Sequence, residues 1–300
     1  MDAQLAVMPA IGVRHRLLRD RRVWIGLGVL ALMAAAALTA PLIAPYKPDV
    51  QLDIVQLAGQ APSRAHWLGT DPYGRDVLSR MLFGSRVSLT IALAAVAMAM
   101  TFGTLVGVIA GYFGGLIDSV LMRLVDAAFS IPPLLYILVV AALWGDVGVV
   151  ALTLLIASVA WFGVSRLVRA KALTVRDADF VVAARALGMS SWRILSRHVL
   201  PNVVGPAIVT STLAIGNVIL LEAGLSYLGI GVRPPQASWG SIIQDGAERM
   251  SDQWWLTLFP GLAILVTAFA CNALGDALRD ALDPRQLQPL PDDDTPLITA

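Results

Sequence analysis

Apolar positions in this chain do not alternate with polar ones. They gather into long runs separated by short polar segments. A helix needs about 20 mostly apolar residues to cross a hydrocarbon layer. The first such run covers residues 24–44. It is too long for a cleaved signal peptide, and "PLIAPYKPD" around its end offers no convincing cleavage site, so it reads as a retained anchor. A second run, 87–113, contains no charge. A third, 131–144, is short alone and is expected to continue the helix of the preceding "LIDSVLMRLVDAAFS". Further runs cover 147–164, 203 to about 230 and 255 to about 274. The pattern predicts an all-α integral membrane protein with six transmembrane helices.

This divides the chain into an N-terminal segment (1–23), a first span (24–44), an intervening segment with an interfacial helix (45–86), a five-helix core (87–282) and a tail (283–300). The interfacial helix is expected in "DVLSRMLFGSRV", with Val77, Leu78, Met81 and Leu82 on one face, after a turn at Asp71-Pro72-Tyr73-Gly74. The tail is polar and Pro-rich and is expected to be disordered.

Charge then fixes the expected orientation. The N-terminal segment carries Arg14, Arg16, Arg19, Arg21 and Arg22 against Asp2 and Asp20. The loop 166–202 is equally basic, with Arg166, Arg169, Lys171, Arg176, Arg185, Arg193 and Arg197 against Asp177 and Asp179. Segments 45–86 and 231–254 nearly balance their charges. Basic loops stay on the cytoplasmic side, so both termini and the loop between spans four and five are expected there, with the balanced segments periplasmic or extracellular.

Composition narrows the chemistry. The chain is 57% hydrophobic and 14% charged, against about 25% charged for soluble domains. Its lysines are Lys47 and Lys171, and neither follows a Gly as a phosphate-cradling GxxxxGK[ST] loop requires. One cysteine, Cys271, excludes an internal disulfide. His15, His66 and His198 lie far apart with no metal-ligand spacing. Neither a nucleophile with its base nor a cofactor site is visible, so no catalytic, cofactor or metal residue is assigned.

The stretch "VVAARALGMSSWRILSRHVLPN" (181–202) is basic and interrupts two apolar runs. A helix is expected through "DADFVVAARAL", with Asp177 or Asp179 at its positive end and Gly188 as its stop. Ser190 is positioned to cap a second helix on which Trp192, Leu195 and Val199 share a face. Pro201 is expected to end that helix. Such a hairpin could lie on lipid headgroups through Arg193 and Arg197. The small residues Ala183, Ala184 and Gly188 instead favour close approach by another protein.

The segment resembles the cytoplasmic "EAA" signature of permease subunits in bacterial ATP-binding-cassette importers: Glu-Ala-Ala, three residues, Gly, and later Ile or Leu with Pro. Here these positions are Val182, Ala183, Ala184, Gly188, Leu200 and Pro201; Val182 stands where Glu is usual. "HWLGTDPYGRDVLSRMLFGSRVSL", "LLEAGLSYLGIGVRPPQASWGSII", "WWLTLFPGLAILV" and "LGDALRDALDPR" resemble the second permease of dipeptide, oligopeptide and nickel importers. The resemblance implies a coupling hairpin of Ala183, Ala184, Gly188, Ser190, Trp192, Arg193, Leu195 and Pro201. It also implies a homologous second permease, two ATPase subunits that hold the ATP and magnesium, an extracytoplasmic substrate-binding protein, and residence in the bacterial inner membrane. Nucleic acid is not an expected partner. The implied activity is import of short peptides, with nickel chelates or haem as alternative cargo.

Glu222 is the carboxylate well inside the fifth run, near Asn217 and Ser226. An ionisable group in a span is a functional candidate. The three residues could face a pathway or a partner permease, or make a structural hydrogen bond. A proton- or sodium-coupled transporter is the competing class, but it would bury several such groups.

Overall fold

A computed structural model describes residues 10–145 and 147–282, the first five of them by backbone alone. The expected disordered tail lies outside the described residues. The described helices are α1 (Ala10–Arg19), α2 (Arg21–Ile43), α3 (Ile54–Leu57), α4 (Val77–Phe113), α5 (Gly115–Phe129), α6 (Pro133–Trp144), α7 (Val149–Arg176), α8 (Asp179–Ala186), α9 (Ser191–Ile194), α10 (Leu200–Tyr227), α11 (Trp239–Gly246) and α12 (Trp255–Leu282). Among the described residues no strand forms, only an isolated antiparallel bridge between Thr70 and Asp76. Five helical stretches are long and apolar enough to cross a membrane, and α5 with α6 makes a sixth if that bent pair is one span.

Three expectations about element shape are corrected. The third run does not continue straight from α5, because the chain bends by 79° between α5 and α6. Pro132 and Pro133 remove two backbone donors and push the preceding residues out of the helical region. The expected interfacial helix is not separate: from Val77 it runs unbroken into the second span, 37 residues in all. Asp76 starts it by accepting from the Ser79 backbone N–H at 2.9 Å, and no breaker follows. Pro201 does not end the helix that begins at Ser191. Leu195–Val199 form a π-turn, with the Leu200 N–H donating to the Leu195 carbonyl. The wider turn admits a residue that lacks its own donor, so one long helix runs to Tyr227.

The core is built on α4 against α7. Gly103, Gly107 and Gly111 recur every four residues on α4, and α7 crosses over them. A Cβ at Gly107 would lie 2.6 Å from the Ser165 carbonyl oxygen, and at Gly111 2.7 Å from the Arg169 carbonyl oxygen. Small residues in this spacing let two helix backbones approach without lipid between them. Helices α10, α12 and α2 complete the bundle. At one end the first turn of α2 and the last turn of α12 meet through an Arg22–Asp280 ion pair at 2.7 Å, and at the same end α8 and α9 pack on α4 and α7. At the other end residues 45–76 and α11 form a folded platform.

Candidate coupling hairpin and polar network

Helix α8 closes with paired bonds, Met189 N–H to the Ala184 carbonyl (3.1 Å) and Gly188 N–H to the Arg185 carbonyl (3.0 Å), with Gly188 at φ +79°. This is a Schellman closure, which needs a residue free to take the left-handed conformation. Neither acidic residue caps the start of α8 as expected. Ala178 is the N-cap, and Asp177 is held by the Arg176 guanidinium at 3.0 Å, which lowers its carboxyl below the usual range. Asp179 remains in the first turn, where its charge still opposes the positive helix end. Ser190 stands at the N-cap of α9 through its backbone only.

The inner face of the hairpin is Val181, Ala184, Ile194, Leu195 and Val199, packed on Val108 and Tyr112 of α4 and Val164, Val168 and Ala172 of α7. Trp192 does not share this face, contrary to the spacing argument: it is 70% exposed and touches only the rim, edge-on to Phe113 at 6.4 Å. Ile194 takes its place and turns the buried face away from Trp192. Of the eight residues assigned to coupling, Ala184 and Leu195 are buried, while Ala183, Gly188, Ser190, Trp192, Arg193 and Pro201 are exposed. Val182 and Leu187 join them on the outer surface, 49% and 84% exposed.

Two ion pairs lock this end further. Arg169 of α7 clasps Asp118 of α5 with both carboxylate oxygens, its Nη2 donating to Oδ2 at 2.6 Å. Arg166 reaches Asp126 at 2.5 Å and lies over the Phe129 ring. These partners were not paired in the sequence because Asp118 and Asp126 stand more than a helix away from the arginines. Only the bend after α5 folds them back.

The three intramembrane candidates separate. Glu222 is fully buried within the chain: Oε2 accepts from Ser88 Oγ on α4 (2.9 Å) and Oε1 from Ser226 Oγ (2.7 Å). Ser226 in turn meets Ser238 Oγ at 3.3 Å, and Ser88 accepts from the Trp239 N–H at 3.3 Å. Ser238 caps α11 with Ser241 in a reciprocal box. Thus α4, α10 and the start of α11 meet on one carboxylate, with the positive end of α11 beside it. Glu222 and Ser226 face inward, in the hydrogen-bonded arrangement. Asn217 lies on another face of α10 and is exposed.

The far end of α11 is fixed as well. Asp245 accepts from Arg75 (2.8 Å) and Arg80 (2.6 Å), and both arginines also bind Asp71, at 2.6 and 2.5 Å. Sequence reading missed α11, whose eight residues sit in a segment read as an outward loop; the Ser238-x-x-Ser241 spacing before an apolar pair was the signal that could have found it.

The Glu222 junction yields a test. Glu222→Ala leaves buried hydroxyls without an acceptor, each costing about 1–3 kcal/mol. Glu222→Gln keeps an acceptor and lets one serine accept from the amide. Thermal unfolding in detergent, followed by Trp fluorescence, should show a clear drop for Ala and a smaller one for Gln. Equal stability of all three proteins would mean that the junction does not hold α11.

Residues 103–288 match the family described as binding-protein-dependent transport system inner membrane component. Residues 10–62 match the N-terminal transmembrane domain of oligopeptide transport permease C. A Brucella suis protein provisionally named a peptide permease is 41% identical over 273 residues, 90% of this chain and 89% of its own. A Brucella abortus protein provisionally named a peptide transport system permease is 42% identical over 278 residues, 92% of each chain. The dipeptide transport system permease protein DppC of Alkalihalophilus pseudofirmus is 36% identical over 290 residues, covering 95% of this chain and 92% of its own.

Proposed function

From the fact that the chain belongs to the family of binding-protein-dependent transport system inner membrane components, we propose that it is the non-catalytic permease subunit of an ATP-driven importer of short peptides. It works beside a homologous second permease, below a substrate-binding protein and above two ATPase subunits that hold the ATP and magnesium. Peptide cargo is preferred over nickel chelates or haem because relatives sharing most of the chain are named for peptides or dipeptides. The basic N-terminal segment and the basic hairpin lie at the same end of the bundle, so that end is assigned to the cytoplasm. The chain ends beyond α1 and α12 go with it. A proton- or sodium-driven mechanism finds no support in Glu222, whose two oxygens are taken by serines inside the chain.

The observation that carries the coupling role is the two-sidedness of the hairpin. Its inner face is fused to α4 and α7, whereas Val182, Leu187 and Trp192 leave an apolar outer surface rimmed by Arg193 and Arg197. A push on that surface is transmitted to the spans because the close-packed inner face has no slack. Alternating access then follows from ATPase closure moving the hairpin, and with it α4 and α7, against the second permease. Val182 points outward where the family has Glu, so the contact at this position is apolar packing.

Leu187→Asp is the clean test, since Leu187 is 84% exposed and supports nothing within the chain. Gly188→Leu is less informative because φ +79° strains any side chain there. With Leu187→Asp the ATPases should be recovered with the membrane complex at least about tenfold less, the scale of 1.4 kcal/mol, while the chain itself stays inserted. Undiminished ATPase recovery would make the hairpin a lipid-surface element.

A further inference from the structure

Asn217 makes no hydrogen bond to any described residue, and its side chain is exposed on α10. It stands ten residues before Tyr227, the last residue of α10, which is about 15 Å at 1.5 Å per residue. That depth is near the middle of a hydrocarbon layer about 30 Å thick. A primary amide has two donors and one acceptor oxygen to satisfy, and hydrocarbon satisfies none of them. The face of α10 that carries Asn217 therefore does not look onto lipid.

At the level of Asn217 itself a close helix contact is also disfavoured. Where this chain packs helices tightly it places glycine at the contact: Gly103, Gly107 and Gly111 between α4 and α7, and Gly216 and Gly275 between α10 and α12. Next to Asn217 the exposed neighbour is bulky: Leu220, one turn above, at 53%. Gly224, two turns above, has open space where its Cβ would stand. The missing side chain at Gly224 leaves a notch in the α10 surface above the amide, beside the exposed Leu220.

We propose that Asn217 is a cargo-contacting residue that hydrogen-bonds the backbone of a peptide as it crosses. This rests on the importer reading above and adds the contact made in the pathway. An amide presents the same donor and acceptor pair as a peptide group, so one side chain can hold a passing backbone without reading its side chains. The apolar flank of Leu220 and the notch at Gly224 accept side chains of varied shape. Tolerance of peptide sequence follows from this arrangement, and binding stays weak because a single side chain supplies the polar contact.

The assembled importer, with its second permease, ATPases and binding protein in proteoliposomes, provides the test. Asn217→Cys in a Cys271→Ala background should react with the negatively charged, water-soluble thiol reagent methanethiosulfonate ethylsulfonate. Transport of alanyl-alanine should slow that reaction several-fold. Asn217→Leu should cut alanyl-alanine uptake at least about fivefold with unchanged ATPase recovery, and Asn217→Gln should restore most of it. Suppose the unmodified importer takes up dipeptide while the cysteine stays unlabelled, or is labelled at a rate indifferent to dipeptide. The assignment of Asn217 is then overturned and the importer reading stands. Full uptake by Asn217→Leu overturns it equally. No dipeptide uptake by the unmodified importer overturns the peptide reading itself, and this inference with it.

Discussion

Replacing Asp71 by Ala is expected to unfold the platform end of the molecule while the chain remains in the membrane. Asp71 is fully buried and is the shared acceptor for Arg75 and Arg80, which are themselves 7% and 2% exposed. Its other oxygen takes the backbone N–H groups of Tyr73 and Arg75 at 2.8 and 3.0 Å, which shapes the turn before α4. Removing it leaves Asp245 alone against two buried guanidiniums, and Arg80 Nε already has no partner. Breaking a buried ion pair from one side costs about 3–5 kcal/mol, a large fraction of a typical domain's stability. Protease accessibility of residues 45–76 in intact proteoliposomes measures the outcome. Asp71→Ala should be cut rapidly there, with α11 released from α4. A second substitution, Arg80→Met, should recover part of the loss, because an apolar side chain has no charge to strand. If Asp71→Ala resists protease like the wild type, the network is dispensable, and α11 is held by the Glu222 junction alone.

Gly107→Leu should prevent the bundle from forming. The position faces α7 so closely that a Cβ alone would sit 2.6 Å from the Ser165 oxygen, 2.8 Å from Val168 Cβ and 3.0 Å from the Arg169 N–H nitrogen. Two of these are backbone atoms of a helix and cannot turn aside as a rotamer can. Overpacking a core costs about 1–3 kcal/mol when side chains can adjust, and here the helices themselves must separate. Separation would propagate to Val164, Val168 and Ala172, which seat the hairpin, so folding and coupling fail together. Gly163 on α7 supplies the control, since nothing lies within 4 Å of its Cβ position. Gly163→Ala should be neutral or stabilising by up to about 1 kcal/mol through helix propensity, whereas Gly107→Ala should already lower the unfolding temperature. The same one-carbon change should thus act in opposite directions at two glycines. Equal behaviour would show that α4 and α7 are not in contact.

The apolar runs were legible because crossing hydrocarbon demands a length of apolar helix that little else requires. Gly188 was legible for a comparable reason: a left-handed helix closure needs glycine, and the residue sits between two short amphipathic stretches. The hairpin's buried face was only half legible. Leu195 and Val199 matched their spacing, but Ile194 competed with Trp192 for the same side, and periodicity alone does not say which side faces the bundle. The bend after α5 was signalled by Pro132 and Pro133 and hidden by a hydrophobic profile that continues across them.

The amino-acid sequence by itself determined that this chain is helical, embedded in a membrane and built without a nucleotide-binding loop, because composition, run length and motif spacing are properties of the linear chain. It also supplied the near balance of charge in segments 45–86 and 231–254. Only the tertiary structure decided what that balance is for. Arg75 and Arg80, already paired with Asp71, find Asp245 170 and 165 residues away, and Ser88 finds Glu222 across 134. In an environment where water cannot satisfy a buried polar group, such partners must come from the chain itself, and which ones meet depends on how the helices cross. The same crossing turns Glu222 inward and leaves Asn217 facing out, a distinction between two polar residues five positions apart on one helix that rotation about its axis alone sets.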